Sequence, residues 1–525
     1  MRNMQRIVAA ALALLLVLAL TACGTQETDL TLTAGLPQEV ATLDPAMVTT
    51  ATEKTVVNHL YENLMKLTHD GQGGTAVSNG MASSYRCENN LDGTQTYTFT
   101  LRSGATWSDG RSVTASDFVY AWRRLADPAT ASPNAYLLDM VAGYAEARKS
   151  GDMTKLQVSA ADERTLVVVL SHSCLQFPHM VCANAATMPV REDMAAVENW
   201  SLSADTLVTN GAYHNITAWE DGIMTVQSDE EYYDYRRLGP KSISFHLGGA
   251  AEETDFVLTH EGVVDQETWN LGSLPYTGTL VINQMSTFPQ ELRQAMSLTI
   301  DRYAISELLG SVYVPADGLI PHGIKNTQGG EFRQLAGAVI DNDPEQYEAR
   351  CEEARELIRY QTLPEEGNVS LTYAADGVTE QVARMLQKTW REELGLSVTL
   401  RAQEGEELAN SLRKGDFTMA LVMMGCERND AAALLEDWTS GAEGNYANLH
   451  NDAYDLLLRI SRASSSMEAR DAYLGDAERL LLESGYVVPI CFATDSWQLN
   501  EKLMGVFGDG MGQYLFTSVM KKPQK

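Results

Sequence analysis

Seven cysteines, nine histidines and seventy Asp and Glu residues are the side chains of this chain that could ligate a metal, attack a carbonyl or move a proton. Cys87, Cys174, Cys182, Cys351, Cys426 and Cys491 form no C-x-x-C pair, which argues against a structural zinc site. Cys174 and Cys182 are near enough in sequence for a local bridge, and buried free thiols fit equally well. The histidines form no H-E-x-x-H or His-x-His pair. No carboxylate spacing singles out an acid and base pair of the glycosidase kind. There is no G-x-S-x-G elbow and no phosphate-binding loop, and Gly508-Asp509-Gly510-Met511-Gly512 lacks the strand–helix setting of one, so it reads as a plain loop. These patterns point to binding rather than bond-breaking, with no catalytic residue, metal or cofactor expected.

The seventh thiol, Cys23, stands apart. Arg2 and Arg6 precede an apolar run from Ile7 to Leu20, and Leu20-Thr21-Ala22-Cys23 follows at once. A charged start, a short apolar stretch and a small-residue cleavage site make a signal segment over residues 1–22. The run is shorter than the roughly 20 apolar residues that span a bilayer. The pattern resembles the bacterial lipoprotein signal, which implies lipid attachment at Cys23 and a protein anchored outside the cytoplasmic membrane.

Length and charge narrow the classes further. A chain of 525 residues exceeds what one core can organise, so two or three domains are expected. The formal net charge of −31 repels nucleic acid and anionic lipid headgroups, so no nucleic-acid partner is expected. Solubility is the simplest use of that charge, with attraction of cationic ligands as the alternative.

The elements that would position a binding site follow from periodicity. Leu30 to Ala34 reads as a first strand, and Thr96 to Leu101 alternates as a half-buried strand. Thr114 to Asp117 makes a capping-box-like start, with Asp in place of Glu. Phe118, Ala121, Trp122 and Leu125 then share a helix face, and Asp127-Pro128 stops the helix. Val369, Leu371 and Tyr373 alternate; Val382, Met385, Leu386 and Trp390 recur at helical spacing up to Gly395; Leu396, Val398 and Leu400 alternate again. That is a β-α-β unit with a glycine C-cap. Leu292 to Leu309 and Ala469 to Leu482 read as two more amphipathic helices. The mixture specifies an α/β protein.

Several segments in order resemble the family 5 extracellular solute-binding proteins, the oligopeptide-binding group of ABC importers. They begin with Leu43-Asp44-Pro45 and Leu60-Tyr61-Glu62-Asn63-Leu64. The most specific block runs from Tyr97-Thr98-Phe99 through Leu101-Arg102-Ser103-Gly104 and Trp107-Ser108-Asp109-Gly110 to Val113 to Tyr120. Ala126-Asp127-Pro128, Thr130-Ala131-Ser132-Pro133, Asn210-Gly211-Ala212-Tyr213, Arg293-Gln294-Ala295, Ile300-Asp301-Arg302, Leu394-Gly395-Leu396, Tyr454-Asp455 and Val488-Pro489-Ile490 continue it. Most of these motifs have structural work: Trp107 and Phe118 as core anchors, Asp109-Gly110 as a turn, Asp117 as a cap.

The resemblance implies a class II (type C) periplasmic-binding-protein-like fold, with two lobes, a hinge and three domains. Domain I would be discontinuous (23–65, 191–277 and 488–525), domain II an insertion (66–190) and domain III the second lobe (278–487). It implies a monomer that closes on an oligopeptide and delivers it to ABC permease subunits, the membrane being reached through the lipid on Cys23. A dipeptide, a nickel chelate or a sugar oligomer are the alternative solutes, and a non-transporting peptide receptor the alternative role. Peptide ligands in this family pair with protein strands, while their side chains enter roomy, wet pockets. By alignment Glu427 falls where the family's aspartate receives the peptide amine, and Met423, Met424 and Gly425 supply pairing backbone. The tryptophan, tyrosine and proline of that motif are absent here. Thr49 and Ala51 are expected on a ligand-facing strand, Asn134 at a cleft position, and Asn283 in a domain-crossing segment.

Overall fold

The structure, a computed structural model, describes residues 30–69, 75–249, 254–260, 268–286, 288–310 and 312–523. Cys23 and the apolar run before it lie outside the described residues. Among the described residues no helix is long and apolar enough to cross a membrane.

The strands of three residues or more, in chain order, are β1 (Thr31–Leu36), β2 (Met65–His69), β3 (Thr75–Asn79), β4 (Ala82–Asn89), β5 (Gln95–Leu101), β6 (Val158–Asp162), β7 (Thr165–Leu170), β8 (Asn215–Glu220), β9 (Ile223–Gln227), β10 (Ser242–Leu247), β11 (Phe256–Thr259), β12 (Asn270–Ile282), β13 (Tyr313–Pro315), β14 (Ser370–Ala374), β15 (Thr399–Gln403), β16 (Met419–Gly425) and β17 (Val487–Leu499). One mixed sheet of eleven strands runs through both lobes in the order β15-β14-β16-β12-β17-β11-β1-β10-β9-β8, with β13 added beside β17. A separate sheet of four strands, β4-β5-β7-β6, is antiparallel throughout.

The first lobe has one continuous apolar core. It joins β1, β10 and β11 to the four-stranded sheet and to the helices α1 (Ala51–Leu60) and α2 (Ala115–Ala126). β5 shows why: Tyr97, Phe99 and Leu101 all point inward and are buried, the period of 2 that the sequence predicts. α2 begins as expected, with the Thr114 N–H donating to the Asp117 carboxylate at 2.7 Å. Its buried stripe, Phe118, Ala121, Trp122 and Leu125, packs on the small sheet. Arg124 on the same helix holds Asp44 of the Leu43-Asp44-Pro45 motif with two hydrogen bonds, at 2.9 and 2.5 Å, so that motif ties the start of the chain to α2. Trp107 and Phe118 are core anchors, 1% and 0% exposed.

The second lobe buries apolar residues on both faces of its half of the large sheet. Its helices include α3 (Gln290–Leu298), α4 (Arg302–Leu309), α5 (Gly377–Leu394), α6 (Gly405–Lys414) and α7 (Met467–Glu483). β14, α5 and β15 form the expected β-α-β unit, with β14 and β15 parallel. Gly395 closes α5 in the left-handed region at φ 68°. The single helix expected over Leu292 to Leu309 is two. The Asp301 carboxylate accepts the Ala304 N–H at 3.0 Å and starts a new helix. The apolar period survives the break because both pieces face one core. The strand expected from Leu396 starts only at Thr399, although Leu396 and Val398 are buried ahead of it.

Two strands connect the lobes. β12 and β17 are antiparallel partners of 13 residues each. Val488, Ile490 and Cys491 at one end of β17 belong to the second lobe's core, whereas Trp497 and Leu499 at its other end pack on the first. The β12–β17 register shifts between Ser273 and Thr277 and again between Gly278 and Thr279, so the ladder is interrupted where the strands pass between lobes. Gly272 lies in this crossing because a Cβ there would meet the Tyr514 hydroxyl and the Asp495 carboxylate, which bond each other at 2.5 Å.

Candidate functional site

β16 lies beside β12 along its whole length, from Met419 opposite Ile282 to Gly425 opposite Tyr276. Its other neighbour, β14, accompanies it only at Met419 and Ala420. Beyond Leu421 the outer edge of β16 has no strand beside it among the described residues.

The direction of that edge's hydrogen-bonding groups follows from the ladder. Asn283 N–H donates to the Thr418 carbonyl at 3.0 Å at one end, and Cys426 N–H to the Pro275 carbonyl at 2.8 Å at the other. In an antiparallel ladder inward and outward residues alternate. The even-numbered residues of β16 therefore face β12, and Met423 and Gly425 turn their N–H and C=O groups outward to the open edge. Gly425 also has no room for a side chain, since a Cβ would lie 2.8 Å from the Tyr276 ring.

The open edge borders a cavity of about 700 Å³. Ala374, the last residue of β14, bounds it on that strand's side. That strand stops because Asp376 caps α5, its carboxylate accepting the N–H groups of Val378 and Thr379 at 3.1 and 2.7 Å. β12, β13, β17, α4, α5 and α6 supply the remaining walls. Met423 and Val378 are each 49% exposed, large apolar side chains left open to water.

The loop after β16 meets the first lobe. The Tyr136 hydroxyl donates to the Glu427 carbonyl at 2.9 Å. Arg428 lies 3.5 Å from Asp139, and the Gln176 amide donates to Asp430 at 3.3 Å. Asp430 is buried against Arg470 at 2.7 Å. Burial opposes its charge, but the Arg470 guanidinium prevails and holds the carboxyl below its ordinary range. Burial, joined by the charges of Glu427 and Glu436, pushes Asp437 up to about 6. Glu427 itself is exposed, and no ion pair holds its carboxylate among the described residues.

The structure gathers four of the residues singled out from sequence. Met423, half-exposed, Met424, buried, and Gly425 form the end of β16, with Glu427 just beyond, but the Met424 main chain, expected to pair with ligand, faces β12 opposite Thr277 instead. Three others belong to the first lobe or its junction. The strand expected at Thr49 and Ala51 is absent: Thr50 caps α1, which starts at Ala51, in a capping box with Glu53. Thr49 is exposed and donates its N–H to Glu53 at 2.9 Å. Asn134 is buried, and its amide donates to the carbonyls of Ala46 and Val48 at 3.3 and 2.7 Å, fixing the turn before Thr49. Asn283 sits at the opposite end of β12, about 20 Å along the strand from the open edge. Its amide is engaged with Gly415 and Met285. The crossing itself lies nearer Ser273 to Gly278. Tyr136 and Val378 escaped sequence reasoning, whereas Arg428 is the residue that a one-residue shift of the alignment would put in place of Glu427. For Val378 a local signal existed, since Asp376-Gly377 is a helix start that must end β14. Cys174 and Cys182 are buried free thiols.

This architecture has known relatives. The sequence profile of the bacterial extracellular solute-binding proteins, family 5 (middle region), matches residues 76–446. The oligopeptide-binding protein OppA of Bacillus subtilis is 26% identical over 520 residues, covering 94% of this chain and 93% of that one. Among solved structures, the Escherichia coli murein tripeptide binding protein MppA in its unliganded open form superposes with a TM-score of 0.81 at 24% identity, covering 94% of this chain and 98% of that one. Haemophilus influenzae OppA in complex with the peptide RPPGFSPFR superposes at 0.63 with 22% identity, covering 94% and 99%. The chain belongs to the family 5 bacterial extracellular solute-binding proteins.

Proposed function

We propose that this protein captures oligopeptides between its lobes and hands them to an ABC permease, held at the outer face of the cytoplasmic membrane by a lipid on Cys23. It carries out no catalytic step. The observation that carries this reading is the open edge of β16: the outward N–H and C=O groups of Met423 and Gly425 are complementary to an extended main chain and to little else. An edge left unpaired in a folded protein is a liability unless a partner covers it.

The relatives support the same reading, since B. subtilis OppA is named for binding oligopeptides. The lobe arrangement matches an unliganded open form better than a peptide complex, 0.81 against 0.63, which supports closure on ligand by hinge motion. Glu427 would receive the peptide amine, its exposed carboxylate standing at the seam that closure shuts. Thr49, Ala51 and Asn134 would belong to the first-lobe wall. The three-domain division given above is proposed on the same footing, with the crossing in β12 and β17 as its hinge.

The test is mass spectrometry of ligand released from protein purified without refolding. A ladder of short peptides is expected, and a uniform non-peptide solute would overturn the reading. Glu427→Gln should weaken binding of free peptides and leave that of N-acetylated peptides nearly unchanged. Equal losses for both would remove Glu427 from amine capture.

A further inference from the structure

We infer that the cavity beside β16 is a dry specificity pocket, so that this protein selects peptides carrying a bulky uncharged apolar side chain at one position. The inference rests on the peptide reading above and goes beyond it, because the family resemblance implies wet pockets that tolerate any side chain.

Two independent observations meet at this place. The first is the open edge of β16, which requires an extended main chain alongside Met423 and Gly425. The second is the lining of the cavity into which side chains of such a strand would project. Its walls are made by residues such as Ile305, Leu309, Val382, Leu408, Leu421 and Ile490. Among the described residues the lining carries one carboxylate, that of Asp376. It is already engaged, accepting the N–H groups of Val378 and Thr379 and the Thr379 hydroxyl at 3.1, 2.7 and 2.9 Å. The Thr279 hydroxyl donates to the Thr277 carbonyl at 3.2 Å. A glutamate side chain entering here would shed its water and meet no counter-charge, and a lysine would meet only the Asp376 carboxylate, whose oxygens are already engaged at the helix cap. A leucine or phenylalanine would instead cover Met423 and Val378, which stand half-exposed at the mouth. At about 700 Å³ the space is large enough for a big side chain and within the range of ligand pockets generally.

Successive residues of an extended ligand point to opposite sides. Only one position, or two positions of the same parity, should therefore feel the pocket.

The experiment is calorimetric titration of the full protein with tetra-alanine and with tetrapeptides in which each position in turn is Leu, Phe, Lys or Glu. At one position or one parity, Leu or Phe should tighten binding about 10- to 100-fold over Ala, in line with what an apolar pocket discriminates. Lys and Glu at the same position should weaken it about tenfold or more. Val378→Asp is the diagnostic variant. Val378 is half-exposed in the first turn of α5, where a carboxylate favours the helix, so the fold should hold. The variant should invert the preference at that position, Lys now exceeding Leu, while Val378→Asn should abolish the Leu advantage without favouring Lys. Tetra-alanine binding with equal affinities for Leu, Lys and Glu at every position would overturn the pocket and leave the peptide reading intact. An unchanged Leu-to-Lys ratio in Val378→Asp would also overturn it. If no peptide binds and an apolar amphiphile such as deoxycholate does, both readings fall.

Discussion

The two ends of the β12–β16 pair belong to the same two strands and are built oppositely. At the Asn283 end every surrounding group is engaged. Asn283 bonds Gly415, Met285 and Thr418, the Ser286 hydroxyl donates to the Asn283 carbonyl at 2.6 Å, and Ser370 and Thr418 exchange bonds. At the Gly425 end the outer edge has no strand beside it among the described residues, Tyr276 and Met423 are 45% and 49% exposed, and a large cavity borders the edge. The first end follows the rule that buried main-chain groups find partners. The second departs from it where a ligand can supply the partners. On the proposed function, stability and binding are held at opposite ends of one strand pair.

That contrast can be broken most sharply by proline. Met424→Pro should remove a donor that β12 needs and destabilise the protein by roughly 3 kcal/mol or more, read as a large fall in the denaturation midpoint. Met423→Pro, one residue away, removes only an outward donor. It should leave the midpoint nearly unchanged and weaken ligand binding about tenfold, the effect of one hydrogen bond of about 1.4 kcal/mol. Similar destabilisation by both would refute the assigned alternation of β16. At the closed end, Asn283→Ala should cost about 1–3 kcal/mol of stability and leave the affinity of the folded protein unaltered. A loss of affinity without loss of stability would move Asn283 into the binding site.

The smallest effect concerns the crossing that separates the two ends. Asp495 in β17 is buried, and burial pushes its carboxyl up to about 7 despite the hydrogen bond from Tyr514. The folded protein then keeps a proton that the unfolded chain releases near pH 4. Stability should fall as pH rises from about 4 to about 7 and level off above. Asp495→Asn should flatten that decline and raise the melting temperature by a few degrees at pH 8, with little change at pH 4. The same gain at both pH values would show that the side chain acts through packing, not through its charge.

What the sequence revealed and what it concealed divide along the range of the interactions. α2, β5 and the β14-α5-β15 unit were legible because caps and periodicity are local: Thr114 with Asp117, Tyr97 with Phe99, Gly395 after Leu394. The break at Asp301 was hidden by a continuous apolar period, although an aspartate at a helix start is a local signal. The strand expected at Thr49 and Ala51 lost to a capping box, Thr50 with Glu53, that is itself visible in the sequence. Resemblance pointed to Met423, Gly425 and Glu427 at the open edge and the loop after it, but not to the cavity beside them. That cavity depends on where β14 ends relative to β16, a register between segments about fifty residues apart, which no short-range pattern records. Asn283 drew notice through the strand it shares with the site, and lies at the wrong end of it for contact with the open edge.

The paired crossing of β12 and β17 has a kinetic consequence. Two bonded strands, unlike a single loose linker, forbid independent swivelling of the lobes, so bending at the interrupted ladder is the motion left to them. On the proposed function, a ligand docked on one lobe would therefore meet the other at a high effective concentration, along one approach path. Little of the binding free energy is consumed in orienting the second lobe. On the proposed function, even a short ligand with few contacts would then hold the clamp shut, for a time governed by what lies in the cavity beside β16.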